Sequence, residues 1–449
     1  MSSARTRILQ DELRTLLAIG YPLIANNLLT YGMHVAAALM AGWLGPQSLA
    51  AVAIGGNAWT PLLLFGIGAL TVITASTAQH AGAGRQDRIG AVLRQGLWLA
   101  LGLGVALALL TRNLHLFLRV LDLEPQVFTL ARGYLEALAW GAPGLCLYNA
   151  LRYVSEGLGR TRPIMIIGGF SFCTDILLTY GLMFGKFGLP ALGVVGCGWA
   201  SAISMWLMAG AIGVWIARSG AYRGIAPFAR WEWPDPAVLM QMLRVGAPSG
   251  VTVFLEAALF GGAALLLAWM GTAAAAAHQI ALNYAGLMFM VPMGLAFATT
   301  VRVGHAIGAG DRAHARSVGF LGMGLAAAFM LVSGLAMLAF GPYIIGWYTD
   351  DAEVTRIARS LILVAAAFQL FDGLQVAANC ALRGLKDTRV PMLLTLAAYW
   401  GVGFPTAWWL GVVRDGGPAL VWVGLSAGLA AAAALLGARF AAITRAAPA

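Results

Sequence analysis

The sequence predicts an all-α membrane protein whose twelve transmembrane helices form two six-helix lobes, related by a pseudo-two-fold axis along the membrane normal. Three observations lead to this fold class. Of the 449 residues, 60% are hydrophobic and 10% are charged, whereas soluble domains carry roughly 25% charged residues. The apolar residues form stretches long enough to cross a bilayer. The second half of the chain also repeats the first, as expected of transporters built from two parallel repeats.

The apolar stretches give the number of spans. A transmembrane helix needs roughly 20 predominantly apolar residues, and short polar segments separate twelve such stretches in this chain. The predicted spans are residues 15–43, 48–79, 91–111, 127–155, 163–185, 191–217, 240–270, 274–304, 315–341, 356–382, 390–413 and 418–441.

The basic residues predict the orientation of these spans. Cytoplasmic loops are enriched in Lys and Arg, and with the N-terminus inside, most of the 28 Lys and Arg fall in cytoplasmic segments. This asymmetry predicts a multi-pass membrane protein with both termini cytoplasmic. The polar start runs into the first span without a small-residue cleavage site, which is typical of an uncleaved start. The basic residues outside are Arg112, Arg119, Arg132, Lys186, Arg356, Arg359 and Arg414.

The composition also excludes several classes of function. The net charge of +10 is spread in small groups between apolar segments, so the expected partner is the lipid bilayer and not a nucleic acid. The four cysteines form no CxxC pair, which indicates neither a disulfide framework nor a zinc site. No HExxH, GxSxG or paired-Asp peptidase pattern occurs, so we expect neither an enzyme nor a cofactor.

An internal repeat divides the chain into an N-terminal lobe (1–217), a cytoplasmic linker (218–238) and a C-terminal lobe (239–449). Residues in the second half match residues in the first half at one constant offset. Beyond one inserted residue the match continues, since EGLGRTR from Glu156 matches RGLKDTR from Arg383. Paired Gly, Pro and Asn residues are less easily accidental than paired Ala or Leu. At one constant offset the pairs are Gly20 and Gly246, Pro22 and Pro248, Gly45 and Gly271, Asn57 and Asn283, Gly68 and Gly294, Thr74 and Thr300, Gly82 and Gly308, and Gly84 and Gly310.

Three of the 18 acidic residues, Asp175, Glu256 and Asp372, lie near the centre of an apolar span. A charged side chain there costs about 2.5–3.5 kcal/mol on insertion scales, and such residues usually mark ion pathways. They are the leading candidates for coupling an ion to transport. If the coupling ion is Na⁺, Glu256 and Asp372 are its candidate ligands; if it is H⁺, the same groups carry the proton.

Asp372 belongs to a polar stripe. Gln369, Gln375 and Asn379 lie on the same side of a helix with a period of 3.6 residues. Their side chains either orient the carboxylate and bind water or an ion, or hold neighbouring helices together by hydrogen bonds. Both interpretations remain open for the amide residues.

Two histidines and an aromatic pair have weaker functional interpretations. His278 and His305 are candidate proton relays, although packing, capping or an interfacial role is the simpler interpretation. Tyr399 and Trp400 either stack on planar cationic compounds or pack at the membrane interface.

Four blocks of sequence resemble the MATE (multidrug and toxic compound extrusion) family, of the NorM type. Together they lie in both halves of the chain. The longest is similar to the eighth helix and following loop of that family. The blocks are AAHQIALNYAGLMFMVPMGLAFATTVRVGHAIGAGDRAHAR (276–316), LEAALF around Glu256, LFDGLQVAANCALRGLKDTRVP from Leu370 and FGKFGLPALGVVGCGWASA from Phe184.

This resemblance implies a monomeric secondary active antiporter that exchanges organic, often cationic, drugs for H⁺ or Na⁺. The family's acidic position in the seventh helix falls on Glu256 and that in the tenth on Asp372. Gln279 and Asn283 match polar positions of its eighth helix. The alternative, a flippase for a lipid-linked precursor, predicts a basic central cavity for pyrophosphate, whereas the central ionisable residues here are acidic.

One departure from the family concerns the first helix. NorM-type members usually carry an Asp just before the MAG motif, where this sequence has Ala37. In the fifth helix, Asp175 stands where the family commonly has Asn. Either Asp175 restores an acid to the N-terminal lobe, or it is protonated and hydrogen-bonds like the Asn it replaces.

Overall fold

A computed structural model describes residues 2–121, 123–228 and 231–445, with the side chains of 2–9 and 121 left aside. Long helices make up almost all of this part of the chain. Residues 229 and 230 of the predicted linker lie outside the described residues. The helices are α1 (Ser2–Trp43), α2 (Pro46–Leu70), α3 (Val72–Gly82), α4 (Gln86–Leu118), α5 (Pro125–Ala139), α6 (Ala142–Gly157), α7 (Arg162–Phe184), α8 (Val194–Arg218), α9 (Pro236–Trp269), α10 (Thr272–Gly308), α11 (Arg312–Gly346), α12 (Ala352–Gly384), α13 (Arg389–Leu396), α14 (Phe404–Trp408) and α15 (Gly417–Ile443).

The predicted twelve spans are confirmed, eleven of them directly. Within the described residues, eleven helical segments are long and apolar enough to cross a bilayer. The predicted span 127–155 is divided into α5 and α6, each too short alone. Pro143 causes the division, because it has no N–H to bond to the carbonyl of Ala139 and its ring clashes with that carbonyl. Together α5 and α6 cover the twelfth span.

The eleventh span departs from a regular helix. Two π-helical segments, Ala397–Gly403 and Trp409–Val413, flank α14. π-helical turns are rare and occur frequently at functional sites. They shift the face that each later side chain presents, so the 3.6-residue period read from the sequence does not hold across this span.

The chain divides into two compact units. One comprises Met1–Ile24 with Val251–Ala449, and the other is Ala25–Gly250. These units differ from the predicted lobes in the starts of two helices, because the first part of α1 packs with the C-terminal half and the first part of α9 with the N-terminal half. The linker boundaries therefore stay a prediction.

Paired glycines allow the first parts of α1 and α9 to pack closely with the other half of the chain. A Cβ built on Gly68 would lie 2.8 Å from the Cα of Gly250, and one built on Gly294 would lie 2.8 Å from the backbone N of Ile24. Gly68 and Gly294 are partners in the sequence repeat, and so are the positions they touch. Each unit therefore contains the same backbone-to-backbone crossing, which only a residue without a Cβ permits.

The repeat also fixes the ends of helices. Gly45 and Gly271 precede α2 and α10 with φ angles of 118° and 126°. Gly84 and Gly310 have φ angles of 69° and 82° in the turns that follow α3 and α10. These positive angles favour Gly over other residues, so the repeat records backbone geometry shared by the two halves.

The crossing of α14 and α15 gives a stability prediction. A Cβ on Gly424 of α15 would overlap the backbone N and Cα of Ala407, whereas one on Gly437 of the same helix meets nothing within 4 Å. We expect Gly424→Ala to destabilise the protein by about 1–3 kcal/mol, because backbone cannot move aside. Gly437→Ala should be neutral or stabilising, since Ala is the better helix former by about 1 kcal/mol. Thermal unfolding in detergent compares the two, and equal midpoints would contradict this packing.

Candidate functional site

Two acidic side chains from different helices meet in the unit that contains residues 251–449. Glu256 lies near the middle of α9 and is half-buried, and Asp372 lies in the middle of α12 and is buried. Gln375, one turn after Asp372, is also buried. The periodicity of α12 places Asp372 and Gln375 on one face, and the packing of the unit brings that face to Glu256.

A single amide group joins the two carboxylates. The Nε2 of Gln375 donates to Oε1 of Glu256 at 3.0 Å and lies 3.5 Å from Oδ1 of Asp372. The second of these contacts is long, so the amide neutralises little of the charge on Asp372. Two ionised carboxylates held this close repel each other strongly where water is scarce. The arrangement favours a proton or a cation at the pair.

Tyr399, in the first π-helical segment, adds an oxygen near the pair. Its side chain is completely buried, and it interacts electrostatically with both Glu256 and Asp372. Its hydroxyl has no hydrogen-bond partner among the described residues. A buried hydroxyl without a partner costs free energy, so its position suits an ion or a water held with the carboxylates. Because the ring is buried, it offers no face for stacking on a drug.

The cluster formed by Glu256, Asp372, Gln375 and Tyr399, called here the carboxylate cluster, is the part of the unit suited to a cation. Carboxylate, amide and phenol oxygens are hard ligands that suit Na⁺ better than a transition metal. Among the described residues, no group of three or more His, Cys, Asp or Glu side chains has the arrangement of a metal site. None of the four cysteines, which all lie in the described ranges, forms a disulfide.

The remaining residues of the polar stripe behave differently. Gln369 accepts a hydrogen bond from Ser333 of α11 at 2.6 Å and contacts the sulfur of Met337 at 3.2 Å. This amide therefore joins α11 to α12. Asn379 is half-buried, and no hydrogen bond in the described part of the chain joins it to the carboxylates.

Gln279 and Asn283 form a pair on α10. The Nε2 of Gln279 donates to Oδ1 of Asn283 at 2.8 Å, one helical turn away. Gln279 is exposed and Asn283 half-buried. The pair lies on α10, which contributes no side chain to the carboxylate cluster.

Asp175 lies in the other unit, which comprises residues 25–250, and is buried on α7. Ser171 and Thr179 are buried one turn before and one turn after it, on the same face of the helix. Ser204 of α8 hydrogen-bonds to this carboxyl group. The hydroxyls of Ser171 and Thr179 have no hydrogen-bond partner in the part of the chain that the structure describes.

The structure places His278 in a packing role. Trp422 of α15 donates its indole N–H to Nδ1 of His278 at 3.1 Å, and the two rings meet at a centroid distance of 5.6 Å. Trp422 also packs edge-on against Phe368. His278 thus belongs to the apolar core of its unit. Trp400 stacks on Phe404 at 5.2 Å, which is likewise packing.

Three buried charged residues were not predicted from the sequence. Arg152 and Glu156 on α6 are buried and form an ion pair at 3.6 Å, although both lie near the end of a predicted span. Arg383 is buried on α12 and attracts Glu256. The four-residue spacing of Arg152 and Glu156 was the available signal for the pair. Arg383, in the repeated RGLKDTR block, had no such signal.

The chain crosses the membrane twelve times and carries buried acidic side chains within its spans. These features define the class of membrane transporters that move solutes together with an ion. The MatE family model matches residues 22–181 and 248–409. The two matched segments begin at Pro22 and Pro248, which are partners in the repeat. The chain belongs to the MatE family.

Relatives and solved structures agree with this assignment. The multidrug resistance protein PmpM of Pseudomonas aeruginosa is 41% identical over 433 residues, which cover 95% of this chain and 91% of PmpM. The probable multidrug resistance protein NorM of Xanthomonas campestris is 42% identical over 430 residues, 96% of this chain and 94% of that protein. The eukaryotic MATE transporter AtDTX14 has the same fold, with a TM-score of 0.86 at 22% identity and 96% of each chain covered.

Proposed function

We propose that this protein is a secondary active multidrug efflux antiporter that exchanges organic, often cationic, compounds for H⁺ or Na⁺. The observation that carries the proposal is the pair of carboxylates bridged by Gln375. The names of PmpM and NorM support the substrate class. A flippase for a lipid-linked pyrophosphate is not favoured, because the bridged groups are acidic and not basic.

The carboxylate cluster performs exchange through mutual exclusion. A proton or Na⁺ on Glu256 or Asp372 removes the negative charge that attracts an organic cation. An organic cation at the pair in turn disfavours the ion. Inward movement of the ion gains about 2.3 kcal/mol per charge per 100 mV of membrane potential. Gln375 and Tyr399 position the carboxylates and supply further polar contacts.

We place the protein in the bacterial inner membrane as a monomer with both termini cytoplasmic. The excess of Lys and Arg in the segments that join the even-numbered spans to the odd-numbered ones supports this topology. Gln279, Asn283 and Asn379 remain candidates for contact with the substrate, and Asp175 for a second ion-binding acid. The protein needs no cofactor other than the coupling ion.

Transport assays with purified protein test the proposal. Proteoliposomes loaded with a fluorescent organic cation are given an inward Na⁺ gradient, an inward H⁺ gradient or neither. We expect efflux to accelerate under at least one gradient and to stop when an ionophore removes that gradient. Efflux that ignores both gradients would contradict antiport.

Tyr399→Phe tests the phenol oxygen near the carboxylates. If this oxygen binds the coupling ion, its loss should weaken the apparent affinity for that ion about 3–10-fold, the effect of losing one hydrogen bond or polar contact of about 1 kcal/mol. The maximal rate should change little, because both carboxylates remain. Tyr343→Phe is the control, since Tyr343 is exposed. An unchanged ion dependence in Tyr399→Phe would remove the phenol from the ion site.

A further inference from the structure

The segment between α8 and α9 contains a short stretch, residues 231–235, that is bound along α4. The side chain of Gln95 donates to the carbonyl of Trp233 and accepts from the N–H of Asp235, both at 2.9 Å. The indole N–H of Trp98 donates to the carbonyl of Glu232 at 2.9 Å. We call this stretch, residues 231–235, the strap.

The strap has its polar groups turned towards the protein. Besides the backbone contacts with Gln95 and Trp98, the carboxylate of Glu232 forms an ion pair with Arg94 at 2.8 Å. Gln95 is buried, so its amide is dedicated to the strap. A segment in water has no need for this pairing, whereas a segment against lipid must satisfy its backbone groups within the protein.

The indole rings of the strap are exposed. Trp231 is 72% exposed and Trp233 is 76% exposed, although they touch each other edge-on at 6.0 Å. Trp231 also rests edge-on against Trp98 at 5.5 Å. Two neighbouring indoles with this exposure form an apolar surface with polar edges, which is typical of the boundary between lipid headgroups and acyl chains.

The depth of the strap along α4 agrees with such a position. Gln95 and Trp98 lie about 14 and 18 Å from the start of the helix at a rise of 1.5 Å per residue. α4 has 33 residues and is about 50 Å long, whereas the hydrocarbon core is about 30 Å thick. With α4 centred in the bilayer, about 10 Å projects on each side. The contacts with Gln95 and Trp98 then lie about 4 and 8 Å inside the hydrocarbon boundary, so the strap lies in the outer part of the bilayer and not in bulk water.

We propose that the strap is a lipid-binding surface, with the indoles of Trp231 and Trp233 at the boundary between headgroups and acyl chains. Exposed Arg218 is the last residue of α8, and exposed Arg223 lies between α8 and the strap. The preferred lipid is therefore an anionic phospholipid, since each basic residue near a membrane surface attracts such lipids. The bilayer, and not a soluble partner, occupies this surface. The inference does not depend on the proposed transport activity.

Tryptophan fluorescence in nanodiscs tests the position of the indoles. The signal of the two residues is the difference between wild type and the Trp231→Phe/Trp233→Phe variant. Phospholipids brominated near the headgroup end of the acyl chain should quench this difference, and aqueous acrylamide should quench it little. Trp422 is the control: it is fully buried, so the difference between wild type and Trp422→Phe should be quenched by neither. Strong quenching of the strap signal by acrylamide, with none by brominated lipid, would overturn the proposal.

The thermal midpoint of unfolding tests the choice of lipid. Anionic phosphatidylglycerol in the nanodisc should raise the midpoint of wild type relative to pure phosphatidylcholine, and Arg218→Gln/Arg223→Gln should lose most of this rise. Arg132→Gln is the control, because Arg132 is an exposed basic residue on α5 paired with Glu136. A rise that is equal in all three proteins would show that the basic residues beside the strap do not select the lipid.

Discussion

Replacing Glu256 with Gln, or Asp372 with Asn, should abolish gradient-driven efflux while the protein still inserts and folds. Each substitution keeps the size of the side chain and its place beside Gln375 but removes a group that can carry charge. A side chain that cannot bind or release the ion cannot couple the gradient to the substrate, so we expect gradient-driven efflux to fall about 100-fold or more, which corresponds to about 2.7 kcal/mol in the barrier. The measurement is efflux from proteoliposomes under an imposed ion gradient, with insertion checked by gel filtration of the extracted protein.

A carboxylate outside the carboxylate cluster provides the control. The side chain of Glu136 is 40% exposed and forms an ion pair with Arg132 one turn away on α5, in the unit that does not contain the carboxylate cluster. Glu136→Gln should therefore transport like wild type. Wild-type exchange rates in Glu256→Gln or Asp372→Asn would remove that residue from the mechanism.

Replacing Asp175 with Asn should uncouple transport from the ion if the unit 25–250 carries its own ion-binding acid. Asn keeps the hydrogen-bonding shape of Asp, so the substitution removes only the charge and leaves the hydroxyls of Ser171, Thr179 and Ser204 in place. The variant should still bind substrate, with gradient-driven transport reduced about 10-fold or more, as expected for about 1.4 kcal/mol or more of lost ion binding. Binding and transport are measured on the same preparation.

The first helix supplies the rescue experiment. Ala37 stands where the resemblance to NorM-type members predicts an Asp. Installing Asp at Ala37 in the Asp175→Asn variant should restore coupling, because it returns one carboxylate to this unit. If Asp175→Asn transports normally under either gradient, the acid acts only as a hydrogen-bonding group and the compensating role is wrong.

The sequence predicted the fold well because the signals were long or repeated. Twenty-residue apolar stretches gave the spans, and paired glycines such as Gly68 and Gly294 proved to mark equivalent backbone crossings. The division of the fourth span was missed although Pro143 was visible. A single Pro within a long apolar stretch either bends a helix or ends it, and the sequence alone does not distinguish these outcomes.

The candidate site was only partly predictable. The polar stripe on α12 correctly placed Asp372 and Gln375 on one face, but periodicity gives a direction and not a partner. Gln369 lies on the same stripe and contacts α11 instead, since neighbouring turns of a long helix meet different helices. The position of Tyr399 near the carboxylates depends on a π-helical segment, and such a shift in helical phase leaves no clear pattern in the residues.

The position of the strap could not be predicted from the sequence either. The sequence predicted residues 218–238 only as a cytoplasmic linker. The position of Trp231 and Trp233 follows from hydrogen bonds of the strap to Gln95 and Trp98, which come from a helix more than a hundred residues earlier in the sequence. Contacts at such separation are set by packing and cannot be read from local composition.

The central claim is that the coupling ion and the organic cation exclude each other at the bridged carboxylates. The most direct test measures ion release when the drug binds, using purified protein in detergent, a pH indicator in weak buffer and a Na⁺-selective electrode. We predict that a cationic substrate releases protons or Na⁺ from wild type, that its affinity falls as pH decreases if the ion is H⁺, and that the Glu256→Gln/Asp372→Asn double variant releases neither ion. Tight binding of the same cation to wild type without release of either ion at any pH would contradict exchange at Glu256 and Asp372.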